Sequence, residues 1–307
     1  LCLQAALQAI GSSETPQAVL SSELLHALSL VLKHPTLDAA FKELVLTLPS
    51  ETYISEQLTT VDPQRVHAVR EAMRLQLATD LHADWVWAFE AHRDNGIYQP
   101  DPVSSGRRAL SGLALTMLCL HGVQTNDNTW PHKALLHFTK AGNMTDRFNA
   151  LSALVQSGHA LANEALAIFY KMFASEALVI DKWFALQAGA SDRGGHILPI
   201  VRQLLLHPDF SIKNPNRARS LIFSYCSANP GAFHRLDAAG YVFWSDRVLE
   251  MDALNPQVAA RLARALDRWS HLAEPYRSAA KVAIERVAAK PDLSNDVREV
   301  VSRALSQ

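Results

Sequence analysis

The sequence predicts an all-α fold of the α-α superhelix class, an armadillo- or HEAT-like solenoid of stacked antiparallel helix pairs, on three observations. Apolar residues recur at helical spacing from end to end. Runs rich in Ala and Leu are punctuated by Pro, Asn, Asp and Gly where helices stop or start. Two helix openings of one design, Asn214-Pro215 and Asn255-Pro256, are separated by about one repeat of this type, which runs to roughly 40–47 residues. Strand signals are almost absent. Amphipathic helix pairs joined by short turns cannot bury their apolar faces alone, so they are expected to stack on their neighbours.

Taken in order, helices are expected at Ser21 to Lys33, Leu37 to Leu48, Pro63 to Leu81, Arg107 to Leu120, Asp146 to Gln156, Glu176 to Ala188 and Pro275 to Ala289, with breaks at Pro35, Pro49, Gly142, Gly158 and Pro208. At Asn214 and Asn255 the Asn caps the helix. The Pro that follows takes the first helical position, where its missing N–H costs nothing. Ala218, Leu221, Ile222 and Tyr225 then supply one apolar stripe, and Val258, Leu262, Ala265, Leu266 and Trp269 the other, with Arg264, Asp267 and Arg268 pointing elsewhere. The last helix has Ser294 as N-cap, Asp296 in its first turn, and Val297, Val300, Val301, Ala304 and Leu305 on one face. Trp85 and Trp87 are too close in sequence to share a helical face, so one belongs to the core and the other is partly exposed.

The chain has 307 residues, 49% of them hydrophobic, enough for a substantial core. No Gly/Ser- or Pro-rich linker divides it, so one elongated domain over 1–307 is expected. Lys and Arg total 29 against 30 Asp and Glu, a net charge of -1, which lacks the field that attracts phosphate backbones or anionic lipid. Nucleic acid and membrane are therefore not expected as partners. The apolar run Leu110 to Leu120 is too short to span a bilayer and reads as a core helix. Cys2, Cys119 and Cys226 form no Cys-x-x-Cys pair, so reduced, buried thiols in a cytoplasmic protein are expected. The opening at Leu1 shows neither an initiator Met nor a signal peptide, which suggests a fragment of something larger.

Catalytic motifs are missing. There is no H-E-x-x-H, and His132 and His137, five apart, would diverge by about 140° on a helix. There is no G-x-S-x-G elbow, and Asp192 to His196 lacks the spacing of a phosphate loop and reads as a turn between helices. Arg219 and Arg261 lie beside the apolar stripes of two related helices. From there each guanidinium can either reach a concave surface and pair with a carboxylate, or cover apolar surface with its stem and pair with acids on adjacent helices.

Several stretches resemble the C-terminal helical domain of the bacterial aminopeptidase N family, alanyl aminopeptidases of the gluzincin class: Gly142 to Arg147, Asp181 to Phe184, Asn214 to Leu221 and Asn255 to Leu262, with weaker similarity at Gly106 to Leu110 and Asp296 to Ser302. None is a catalytic motif, and their order and number carry the resemblance, which is thinnest before about Asp62. It implies an enzyme whose zinc, H-E-x-x-H helix and amine-binding G-x-M-E-N segment lie upstream, with no cofactor held by this chain. Its partners would be that upstream catalytic domain and peptide substrates. The domain would cap the active-site chamber and limit access to peptides, with Arg219 and Arg261, and less strongly Arg217, facing the chamber. The competing expectation is a stand-alone armadillo- or HEAT-like scaffold that binds a protein partner; an independent hydrolase is disfavoured by the missing site constellations.

Overall fold

Every regular element described by the computed structural model, which covers residues 1–12, 18–93 and 98–306, is helical; the one extended contact is a parallel bridge between Val61 and Leu272. The chain divides into two compact units, Leu1–Ser50 with Ala68–Met172, and Glu51–His67 with Phe173–Gln307.

The first unit contains α1 (Cys2–Gly11), α2 (Ser22–Lys33), α3 (Ala39–Leu46), the part of α5 (Pro63–Asp80) from Ala68 onward, α6 (His82–His92), α7 (Pro102–Thr125), α8 (Thr129–Lys140), α9 (Met144–Ser157) and α10 (Leu161–Phe173). Side-chain caps set several starts: Ser21 accepts from the Leu24 N–H, Asp38 from Phe41, Asp101 from Ser104 and Asn143 from Asp146. Gly158, at φ 73°, closes α9 in the left-handed region. α7 runs past both ends of the expected Arg107 to Leu120, reaching Thr125, and at its start Gly106 sits inside it. A Cβ there would lie 2.8 Å from the Ala40 backbone nitrogen, so the glycine serves the close approach of α3 and does not end the helix. α7 packs on α3, α6, α8 and α9, and buries Leu110, Ala114, Leu118 and Cys119 completely. Each fully buried leucine of this kind contributes about 1.5–3 kcal/mol. Trp85 is buried and donates its indole N–H to the Leu77 carbonyl, 2.8 Å away, while Trp87 is 41% exposed.

The second unit contains α4 (Glu51–Glu56), the start of α5, α11 (Ala177–Ala188), α12 (Ile197–Leu204), α13 (Pro215–Ala218), a π-helical turn (Arg219–Phe223), α14 (Ser224–Cys226), α15 (Pro230–Phe233), α16 (Ala239–Asp252), α17 (Pro256–Ala263), 3-10 turns at Arg264–Leu266 and Trp269–His271, α18 (Tyr276–Ala288) and α19 (Asn295–Leu305). The Asn-Pro openings behave as expected. Asn214 accepts from the Asn216 and Arg217 N–H groups, and Asn255 from Val258. Both stripes face inward, but neither helix stays α-helical throughout. The first widens into the π turn at Arg219, and the second tightens at Arg264, leaving Ala265 only half-buried. Trp244 donates to the Leu262 carbonyl at 3.0 Å and Trp269 to the Ala304 carbonyl at 2.8 Å, tying α16 to α17 and the second 3-10 turn to α19.

Cys119 and Cys226 are buried and Cys2 half-buried, all as free thiols, and burial pushes the Cys119 thiol up to about 12. Among the described residues no helix is long and apolar enough to cross a membrane.

Candidate functional site

The second unit carries a groove of about 660 Å³ that includes Arg261. One wall comes from α4 and the start of α5, through Glu56, Val61 and Pro63, and another from α17 and the 3-10 turns that follow it. These distant segments are joined by backbone hydrogen bonds: Val61 N–H donates to the His271 carbonyl (2.8 Å), and Ala273 N–H to the Val61 carbonyl (2.7 Å). Phe223, Cys226, Pro230, Leu266 and Trp269 give the groove an apolar lining.

A polar network holds α4 against α15. One Glu51 carboxylate oxygen lies 2.6 Å from His67 Nδ1, and the other accepts the Gly231 N–H at 2.8 Å. His67 Nε2 lies 3.0 Å from the Asp192 carbonyl, and Gln64 Nε2 donates to the carbonyls of Gly231 and His234, each at 2.8 Å. Gly231 is required here, since a Cβ would fall 2.3 Å from His67 Nδ1. Asp192 also accepts the N–H groups of Gly195 and Ile197, which makes the Asp192 to His196 stretch a capped turn leading into α12. His234, on the groove, shares a 2.8 Å hydrogen bond with the Tyr241 hydroxyl. Burial drives its pKa down to about 4, so the ring is neutral near pH 7.

The three arginines singled out from sequence take different positions. Arg261 is exposed in the last turn of α17, lines the groove, and has no carboxylate within ion-pair distance among the described residues. Arg219 is exposed at the start of the π turn, outside the residues lining the groove, where its guanidinium makes a long 3.5 Å hydrogen bond to Asn216. Arg217 is buried at 6% exposure, over the Phe184 ring at 5.0 Å and 3.0 Å from an Asp181 carboxylate oxygen. That ion pair lacks good hydrogen-bond angles, since Nη1 and Nε of Arg217 have no hydrogen-bond partner. Arg217 therefore pairs with an acid on an adjacent helix.

The sequence pattern turns Arg264 and Arg268 away from the apolar face. They do point away, and in doing so they line the groove beside Arg261. Their i, i+3, i+7 spacing is the signal in the sequence. Arg264 pairs with Asp267 at 3.1 Å, while Arg268 is exposed. The groove thus carries three guanidinium groups, one of them paired with Asp267, together with the carboxylate of Glu56. His132 and His137 do not form a pair: His132 bonds the Asn128 carbonyl and His137 packs edge-on to Phe89. Among the described residues no three His, Cys, Asp or Glu side chains are placed to hold a metal ion, so these residues do not fit zinc.

Stacked helices with no strand among the described residues define a helical-repeat domain. The family model described as "Domain of unknown function (DUF3458_C) ARM repeats" matches residues 1–306, and the chain belongs to that family. It is 36% identical over 286 residues to Aminopeptidase N of Haemophilus influenzae, covering 93% of this chain and 32% of that protein. It is 35% identical to Aminopeptidase N of Caulobacter vibrioides, over 94% of this chain and 33% of the relative, and 32% identical to that of Escherichia coli, over 90% and 31%. The chain thus spans about a third of the length of the curated relatives it matches. Aminopeptidase A of Legionella pneumophila, solved in complex with aspartic acid, shares the fold at a TM-score of 0.85 and 23% identity, over 99% of this chain and 36% of that one. The resemblance to the C-terminal helical domain of bacterial aminopeptidase N, first carried by short motifs, extends over nearly the whole chain.

Proposed function

We propose that this chain is the C-terminal domain of a zinc-dependent aminopeptidase N, that it caps the active-site chamber, and that it controls which peptides enter. The complete cytoplasmic enzyme would release N-terminal residues from peptides. Zinc, held by its upstream catalytic domain, supplies an activated water in such enzymes. This chain contributes shape and positive charge, with Arg261 and Arg219 contacting the peptide and Arg217 fixing the helix that carries Arg219. The observation that carries the reading is identity above 30% to aminopeptidase N over at least nine-tenths of the chain. The guanidinium of Arg261, without a carboxylate in ion-pair range among the described residues and lining an apolar groove, supports its finer part.

In the complete enzyme, Arg261→Ala should raise KM for peptides by about three- to tenfold with kcat nearly unchanged, the signature of lost substrate binding. Arg219→Ala should have a smaller effect of the same kind. Unchanged kinetics in both variants would return these arginines to a structural role. Turnover of an alanyl anilide by the purified chain alone would overturn the division of labour.

A further inference from the structure

The first unit has its own concave site, which the peptidase reading leaves unused. It encloses about 480 Å³ among α6, α7, α8 and α9, within the range of small-molecule pockets. Lys133, His137 and Lys140 stand at i, i+4 and i+7, so they share one face of α8, and all three line this cleft. Arg93 and Arg108 add two further cations from α6–α7, beside two lining carboxylates among the described residues, Glu90 and Asp146.

Both carboxylates are already engaged. Glu90 pairs with Arg93 at 3.2 Å, and Asp146 accepts from the Asn143 side-chain amide at 2.6 Å. Lys133 lies 4.0 Å from the centre of the Trp130 ring, which orients the ammonium without neutralising it. Neither Lys133 nor Lys140 has a carboxylate within ion-pair distance among the described residues. Burial, and then the charge of Arg93, hold the His137 pKa below its ordinary value, so the ring is an uncharged hydrogen-bonding group near pH 7. Phe89 and Leu115 complete the lining with apolar surface.

We propose that this cleft binds a small organic anion carrying two or more negative charges, with its acidic groups on Lys133 and Lys140 and its carbon body against Phe89 and Leu115. Two ammonium groups two helical turns apart are about 10 Å from each other along the axis, a span that favours a ligand with separated charges over a single inorganic ion.

The test is isothermal titration of the full chain at low ionic strength with two probes, citrate for carboxylates and fructose 1,6-bisphosphate for phosphoesters, and with sucrose as the neutral control. One equivalent of at least one anion should bind, with Kd below about 1 mM, and sucrose should not. Lys133→Ala with Lys140→Ala should weaken binding by about twentyfold, whereas Lys171→Ala, an exposed lysine elsewhere in the same unit, should leave it unchanged. The lysines are exposed, so folding should survive; Lys140→Glu alone provides a second reading and should abolish binding. The proposal is overturned if neither anion binds, if the double variant binds like the parent, or if Lys171→Ala weakens binding equally. None of these outcomes bears on peptide hydrolysis by the complete enzyme.

Discussion

Replacing Glu51 with Ala removes the carboxylate that joins α4 to α15 and to His67 of α5. Two hydrogen bonds are lost, one to His67 at 2.6 Å and one from the buried Gly231 N–H at 2.8 Å. The side chains of His67 and Glu51 are only 13% and 10% exposed, so solvent screens this contact little. An N–H left buried without an acceptor costs about 1–3 kcal/mol, and a charge-assisted bond adds about 1.5 kcal/mol, giving a loss of about 3 kcal/mol. With a urea slope of about 3 kcal/mol/M, the unfolding midpoint followed by circular dichroism should fall by about 1 M. Glu51→Gln keeps a carbonyl oxygen for Gly231 and an amide that can face the other tautomer of His67, so it should lose less than half as much. The reasoning fails if Glu51→Ala unfolds within about 0.5 kcal/mol of the parent, or if Gln is as damaging as Ala.

Asp181→Ala should destabilise by about 3 kcal/mol, because it leaves the Arg217 guanidinium buried over Phe184 without its partner; adding Arg217→Met should recover most of that loss in the same urea assay. His234, whose pKa in the fold is about 4 against about 6.5 when unfolded, makes stability pH-dependent. Above pH 6.5 both states are neutral and its contribution is intact. As pH falls from 6.5 toward 4 the unfolded chain takes up the proton first, so about 2 kcal/mol should be lost across that window, allowing for partial exposure. His234→Gln should flatten that part of the pH–stability profile.

Some capped helix starts are legible in the sequence, while others, such as Asp101 before α7, lie several residues ahead of the start the apolar pattern gives. Ser21, Asn214, Asn255 and Ser294 cap the helices expected to follow them. Elements without such a signal escape a sequence reading: α16 begins after Ala238, a non-glycine residue at φ 56° that makes no side-chain cap, and α4 has only six residues. The groove is only half legible. Arg261 stands out from its own helix, but Glu56, Val61 and Pro63 reach it from a segment about 200 residues earlier, through pairing of Val61 with Leu272 that no local pattern records. The cleft of the first unit is hidden for a similar reason. Lys133 and Lys140 read as an ordinary solvated helix face until Arg93, Arg108 and the apolar floor are brought opposite them.

The wide turn at Arg219–Phe223, closed by the Ser224 N–H reaching back five residues to the Arg219 carbonyl, holds one residue more than a regular α-helical turn would. Ala218, Leu221, Ile222 and Tyr225 are nonetheless all fully enclosed. The surplus residue is taken up inside the turn itself. Excising one of these five positions would therefore restore a regular spiral with Tyr225 and Cys226 held near their present phase, whereas the same excision from a regular α-helical turn would swing everything beyond it by about 100°.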